Sequence, residues 1–289
     1  MKKLSIITAS ILAAAMLAGC SESGSSSQQE QASSQEASSS AQESASDSSE
    51  AKTYKSIKLM TCGDSITDGF WLKGGYRRYL ADRLEMNDLS QYVDFVGSKK
   101  GGECYDNEHE GYTGWSIDRI ENSITGGRMG VSSILPKKIE KYQPDVVTLM
   151  IGTNDLLSHY ELDKAGDRLS ALIDAMFEKM PEGAVLFVAT VPDMDADAKI
   201  PDVKEGEVDT YIDQNTFTSE YMDECVANYN EQVKAVVEKK KGEGKNIVLA
   251  DVHSALTKQD LYDGVHPSDQ GYKILGDFWY DIITDYITE

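Results

Sequence analysis

The stretch "MTCGDSITDGF" (Met60–Phe70) runs from apolar residues straight into a Gly-Asp-Ser step. Together with the residues before it, "SIKLMTC" (56–62) is a short apolar run with a β-branched member, which predicts a buried strand. A serine just beyond such a strand has two readings. It belongs to a strand-to-helix turn in which Asp64 or Ser65 caps the next helix through a side-chain oxygen, or it is held out of the fold as a nucleophile. Three letters leave both open, and the remainder of the chain has to decide.

Four more runs share the character of the first: "YVDFVGS" (92–98), "DVVTLMIG" (145–152), "AVLFVAT" (184–190) and "NIVLADV" (246–252). Helical periodicity separates them in "YRRYLADRLEM" (76–86), "LDKAGDRLSALIDAMFEKM" (162–180) and "YMDECVANYNEQVKAVVEKKK" (221–241). A last helix is predicted over "DQGYKILGDFWYDIITDYI". Leu169, Leu172, Ile173 and Met176 recur at spacings of three and four, so they share one face. Near-continuous apolar strands suit a parallel sheet covered on both sides, and the alternation with helices predicts a three-layer α/β/α domain with five parallel strands. In such sheets the ligand crevice lies beyond the carboxyl ends of the strands. Ser65 follows the first strand and Asn154 the third, which puts both on one rim.

That rim is supplied by "GDSIT", by the glycine-bearing "HEGYTGWSID" (109–118), by "IGTND" (151–155) and by "DGVHP" (263–267). A nucleophilic serine needs a base to take its proton and an acid to orient the base. Asp263 and His266 lie three apart in one loop and can meet there, leaving the second ring nitrogen for Ser65. A tetrahedral intermediate also needs preset donors, for which the N–H groups of Ser65 and Gly114 and the side-chain amide of Asn154 are available. The chain has four histidines. His253 follows the fifth strand with Asp251 two residues before it, but no turn brings that pair toward Ser65. His109 is placed to contact substrate or brace Glu110, and His159 is expected at the surface. Asp155 reads as structural, a cap for the helix after the third strand.

In this order the four fragments resemble the sequence blocks of the SGNH (GDSL-type) hydrolase superfamily, whose name maps onto Ser65, Gly114, Asn154 and His266, with Asp263 as the acid. The resemblance implies a flavodoxin-like arrangement. Its GDS block differs from the G-x-S-x-G elbow of the α/β-hydrolases. More narrowly, "GDSITDG…GGYR", "DFVGS", "HEGYTGWSIDRI", "PDVVTLMIGTND" and "DGVHPSDQGYKILGDFWY" are similar to the acetylxylan esterases of carbohydrate esterase family three. That likeness implies removal of acetyl groups from sugar hydroxyls, as in acetylated xylan, by a serine mechanism without metal or cofactor. The chain departs from a compact relative in the long acidic loop "PDMDADAKIPDVKEGEVDTYIDQNTFTS" (192–219), which leaves substrate size and specificity open. Within it Asp193, Asp195 and Asp197 alternate like a calcium loop, but Ala198 and Lys204 occupy the positions that need glycine and glutamate. No metal site is expected.

The N-terminal residues 1–19 read as a signal segment, with Lys2 and Lys3 before an apolar run too short to span a bilayer comfortably. "LAGC" resembles a bacterial lipobox, which implies lipidation of Cys20 and a place at the outer face of the cell membrane. Residues 20–52 are Ser, Gln, Ala and acid with little to build a core, a tether of about 30 Å r.m.s. reach. Residues 53–289 then form the hydrolase domain. Formal charge is −21, which disfavours nucleic acid and anionic lipid as partners and suits a neutral polysaccharide. A monomer attached to the membrane by its lipid alone is expected. Besides Cys20 only Cys62, Cys104 and Cys225 remain, allowing at most one disulfide. Other readings keep the same machinery and change the substrate: a lysophospholipase or thioesterase, or an esterase of O-acetylated cell-wall glycan. A lipoprotein that binds glycan without catalysis is the reading from another class.

Overall fold

The computed structural model describes residues 52–204 and 207–289. The expected signal segment, Cys20 and nearly all of the Ser-rich tether lie outside the described residues. Seven strands form one sheet: β1 (Ile57–Gly63), β2 (Val93–Phe95), β3 (Lys99–Lys100), β4 (Glu108–Gly111), β5 (Val146–Met150), β6 (Val185–Ala189) and β7 (Ile247–Ala250), in the order β3-β4-β1-β5-β6-β7 with β2 also on β1. All pairings are parallel except β3 with β4. The helices are α1 (Ser65–Asp68), α2 (Tyr76–Met86), α3 (Leu135–Tyr142), α4 (Thr153–Leu157), α5 (Ala165–Phe177), α6 (Ser219–Gly242) and α7 (Asp269–Ile287).

The five expected strands occupy the lanes 2-1-3-4-5 of a flavodoxin-like sheet. The second is shorter than expected, and two strands were not foreseen. β1 pairs with β5 along one edge from Leu59 to Gly63. Its opposite edge is divided: β2 takes Ile57 to Leu59, and β4 takes Cys62 and Gly63. The chain therefore leaves β1 after Phe95, turns through the two-residue β3, and comes back as β4 beside the end of β1. This detour matters for function, because β4 delivers the glycine-bearing loop to the rim beside Ser65.

Side-chain alternation splits the core into two faces, as the pleat requires. Met60, Cys62, Val147, Leu149, Leu186 and Val188 face a cluster containing Leu169, Leu172, Ile173 and Met176 of α5 and Met222, Val226, Tyr229 and Val233 of α6. Leu59, Val146, Met150, Val185 and Phe187 face Leu80 and Leu84 of α2 and Tyr272, Leu275, Trp279 and Ile283 of α7. The predicted bounds of α2 and α7 coincide with the observed ones. In α7, Ser268 caps the first turn by accepting the Gly271 N–H at 3.1 Å. Cys62, Cys104 and Cys225 are free thiols.

Candidate active site

The strand-to-helix turn at Ser65 is tightly packed. A Cβ on Gly63 would stand 2.4 Å from both Met150 O and Thr67 Oγ1, so glycine lets the end of β1 stay paired with β5 while the chain turns. Asp64 is the cap of α1, its Oδ1 accepting the Ile66 N–H at 3.0 Å. The capping role thus belongs to Asp64, and the Ser65 hydroxyl is left for another partner.

That partner is His266. Ser65 Oγ lies 2.9 Å from His266 Nε2, and His266 Nδ1 lies 2.8 Å from Asp263 Oδ2. The other Asp263 oxygen accepts the N–H groups of Val265 at 3.0 Å and His266 at 2.7 Å, which folds the loop into a tight turn around the carboxylate. Burial pushes the Asp263 carboxyl up, but the His266 ring and the two N–H groups outweigh it and hold the pKa below the ordinary value. A carboxylate on Nδ1 places the ring proton there and leaves Nε2 as an acceptor facing the Ser65 hydroxyl. All three residues are buried.

Two aromatic edges confine the imidazole. The Trp71 ring sits 4.4 Å from that of His266, and Tyr211 sits 4.9 Å away on the acidic loop, both edge-on. The loop is fastened to the His266 turn by Asp195 N–H donating to Gly264 O at 2.8 Å. Met194, Ala196, Ile212 and Phe217 anchor it in the core. The departure seen in the sequence is therefore a packed wall at His266.

The remaining donors lie on two neighbouring segments. Asn154 is the second residue of α4, just past β5. Its Nδ2 donates to Trp115 O at 2.9 Å, and its Oδ1 accepts from Arg128 Nη1 at 2.9 Å. One amide hydrogen is left over. Gly114 has φ +79 with open space where a Cβ would go, so it is the backbone conformation and not crowding that calls for glycine. Among the described residues neither the Ser65 nor the Gly114 N–H has an acceptor. Asp155 accepts the Ile117 N–H at 2.9 Å and pairs with Arg168 Nη2 at 3.0 Å. Its role is to tie the glycine loop to α4, and it does not cap α4 as expected from sequence.

The other histidines separate clearly. His253 Nε2 bonds Asp193 at 2.9 Å, and Asp251 bonds Thr190, so the Asp251–His253 pair is not assembled. His109 is buried, and burial together with Arg77 and Lys99 pulls its pKa down to about 3. Its Nδ1 accepts the Gly111 N–H at 3.0 Å, so it organises β4, and Glu110 is held instead by Ser98 and Tyr112. His159 is exposed and bonds the Tyr221 hydroxyl at 2.9 Å. The three loop acids have separate side-chain partners, Asp193 on His253, Asp195 accepting from Ser219 Oγ and Asp197 from Gln214 Nε2. Tyr76 and Tyr112 are buried in the core, with Trp115 stacked on Tyr112 at 4.6 Å.

Asp64 gives the site a pH signature. Burial, opposed in part by the Ile66 N–H and His266, pushes its carboxyl from 3.8 up to about 6. The folded chain then binds this proton more tightly than the unfolded chain, so its contribution to stability falls as pH rises from about 4 to about 6. The fall amounts to about 3 kcal/mol at most. Asp64→Asn keeps an oxygen for the Ile66 N–H and removes the titration. Thermal unfolding of the variant is expected to match wild type near pH 4 and exceed it by several degrees at pH 7. An equal pH slope in the two proteins would contradict this account.

Comparison with known proteins agrees with the geometry. The chain is 33% identical over 245 residues to a multidomain esterase of Ruminococcus flavefaciens, a match covering 80% of this chain and 29% of that protein. The chain thus spans less than a third of that relative. Its structure resembles a family 3 carbohydrate esterase of Clostridium thermocellum with TM-score 0.58 and 30% identity, over 81% of this chain and 100% of the other. A carbohydrate esterase family 3 protein from Talaromyces cellulolyticus shares the fold, with TM-score 0.59 and 21% identity over 80% of this chain and 97% of its own. The model of the GDSL-like Lipase/Acylhydrolase family matches residues 61–274, a span holding Ser65, Gly114, Asn154, Asp263 and His266. By that match the chain belongs to the GDSL-like lipase/acylhydrolase family.

Proposed function

We propose that the protein is a serine esterase that removes acetyl groups from carbohydrate hydroxyls, with acetylated xylan or its oligosaccharides as substrate. The observation that carries this reading is the assembled relay from Ser65 through His266 to Asp263, at 2.9 and 2.8 Å. His266 Nε2 takes the Ser65 proton as Oγ attacks the ester carbonyl, and Asp263 steadies the imidazolium that forms. The oxyanion is received by the N–H groups of Ser65 and Gly114 and the free amide hydrogen of Asn154. His266 then protonates the departing sugar alkoxide. In the second half it activates water, which releases acetate and restores Ser65.

Similarity to carbohydrate esterases and the acidic character of the chain support a neutral acetylated glycan. Acetate release by the purified protein from acetylated xylan, acetylated mannan and O-acetylated peptidoglycan is the direct test, with acetyl and long-chain nitrophenyl esters in parallel. Xylan deacetylation above the other polymers is the expected result. Preference for long-chain esters would assign the lipase branch instead, and glycan binding without turnover would remove the enzyme reading. The proposal includes lipid attachment at Cys20 at the outer face of the cell membrane, supported by the "LAGC" pattern alone. A fatty-acid label carried by the wild-type chain and lost in Cys20→Ser is the expected outcome there.

A further inference from the structure

Among the described residues, Arg128 alone has a side chain that hydrogen-bonds both Asn154 and Gly114. Its backbone is fixed by reciprocal bonds with Ile120, at 2.8 and 3.0 Å. From there the guanidinium reaches across the rim. Nη1 donates to Asn154 Oδ1 at 2.9 Å and to Gly114 O at 3.3 Å. Nε donates to Ser158 Oγ, and Nη2 to Thr125 Oγ1 at 3.1 Å. Among the described residues it has no carboxylate within ion-pairing distance. Its neighbour Arg168, in contrast, is paired with Asp155 at 3.0 Å.

A half-buried cation without a counter-ion is unfavourable in itself, and here every bond it makes orients a polar group of the rim. A guanidinium can only donate and a carbonyl can only accept. Arg128 must therefore meet the oxygen of the Asn154 amide, and Trp115 O must meet its nitrogen. The two contacts exclude the flipped amide and fix its plane, and so fix the direction of the one unused amide hydrogen. The Gly114 contact acts on the carbonyl side of a glycine that has no side chain to restrain it. Holding that carbonyl limits rotation about the Gly114 backbone and steadies the adjoining N–H.

We propose that Arg128 is a positioning residue of the oxyanion site, locking the Asn154 amide and the Gly114 backbone in the orientation that receives the tetrahedral intermediate. This rests on the esterase reading above. Loss of one oxyanion donor in a serine hydrolase lowers kcat by about 10²–10³-fold. Loss of its support should have a smaller effect of the same kind.

The test is a double-mutant cycle on nitrophenyl acetate with the full chain, using Arg128→Met, Asn154→Ala and the pair. Arg128→Met is expected to lower kcat about 10–100-fold while KM changes little. Added to Asn154→Ala, it should lower kcat much less than it does alone, because its main target is gone. Affinity for a tetrahedral boronate should fall in step with kcat/KM, while affinity for acetate is retained. Arg128→Lys keeps the charge without the planar fork and should recover only part of kcat. If Arg128→Met unfolds the protein, Arg128→Lys carries the same cycle. Unchanged kcat, a loss in KM alone, or full additivity with Asn154→Ala would each overturn the proposal. Its failure is distinct from failure of the esterase reading, which would appear in the wild-type protein as no ester turnover at all.

Discussion

Ser65→Ala is expected to lower kcat/KM on acetyl esters by about 10⁶-fold while leaving the fold intact. The size of the effect follows from what the hydroxyl does in the structure. Among the described residues its Oγ has one polar partner, His266 Nε2 at 2.9 Å, and caps no helix. The cap of α1 is supplied by Asp64 and the turn by Gly63, so alanine at position 65 keeps the backbone unchanged. Removing a single hydrogen bond alters stability by about 1 kcal/mol. Melting temperature should accordingly stay near wild type while hydrolysis falls to what binding and the oxyanion donors alone provide. Substantial turnover in a folded Ser65→Ala variant would mean that another group is the nucleophile.

The second large effect concerns the base and its acid. His266→Ala should match Ser65→Ala in severity, and Asp263→Asn should lower kcat by about 10⁴-fold. In Asp263→Asn an oxygen remains to accept the N–H groups of Val265 and His266, so the loop is kept. What faces His266 Nδ1 is then an NH₂ group, which favours the tautomer with the proton on Nε2, the wrong one for accepting from Ser65. The depressed pKa of Asp263 means that the acid is already ionised wherever carboxylates ordinarily are, so its protonation does not limit activity near neutrality. His253→Ala supplies the contrast. His253 is bonded to Asp193 at a partly exposed pair, and such pairs contribute about 0–1 kcal/mol. Its removal should leave kcat close to wild type. A dead His253→Ala with an active His266→Ala would reverse the assignment.

Local pattern was enough where one element decided the outcome. The apolar run ending in Cys62 reads as a buried strand, and α2 and α7 have the periodicity and ends observed. Asp263 and His266 are three apart, so their meeting is a matter of one turn. Pattern was not enough where two distant segments share an edge. β4 is only four residues long with Glu108, His109 and Glu110 in it, and it reads as a polar loop. It becomes a strand because the end of β1 offers unpaired backbone groups once β2 has left. His109 and Asp155 are similar cases. From sequence His109 reads as a substrate contact or a brace for Glu110 and Asp155 as a helix cap, whereas each is buried and accepts a backbone N–H, that of Gly111 and that of Ile117.

Arg128 shows the limit most clearly. It stands in "GGRMG" (126–130), a stretch with no period and no motif. Its importance comes wholly from reaching Gly114 and Asn154, which lie 14 and 26 residues away along the chain. Tyr211 likewise sits in an acidic loop whose composition says only that it is polar. By itself the sequence determined the main strands and helices, the serine at the end of β1 and the Asp–His pair, because each depends on contacts a few residues long. Only the tertiary structure decided what fixes the Asn154 amide and what walls the imidazole. Those depend on hydrogen bonds and ring contacts between segments tens to hundreds of residues apart, whose geometry exists only once the sheet has brought the loops to one rim.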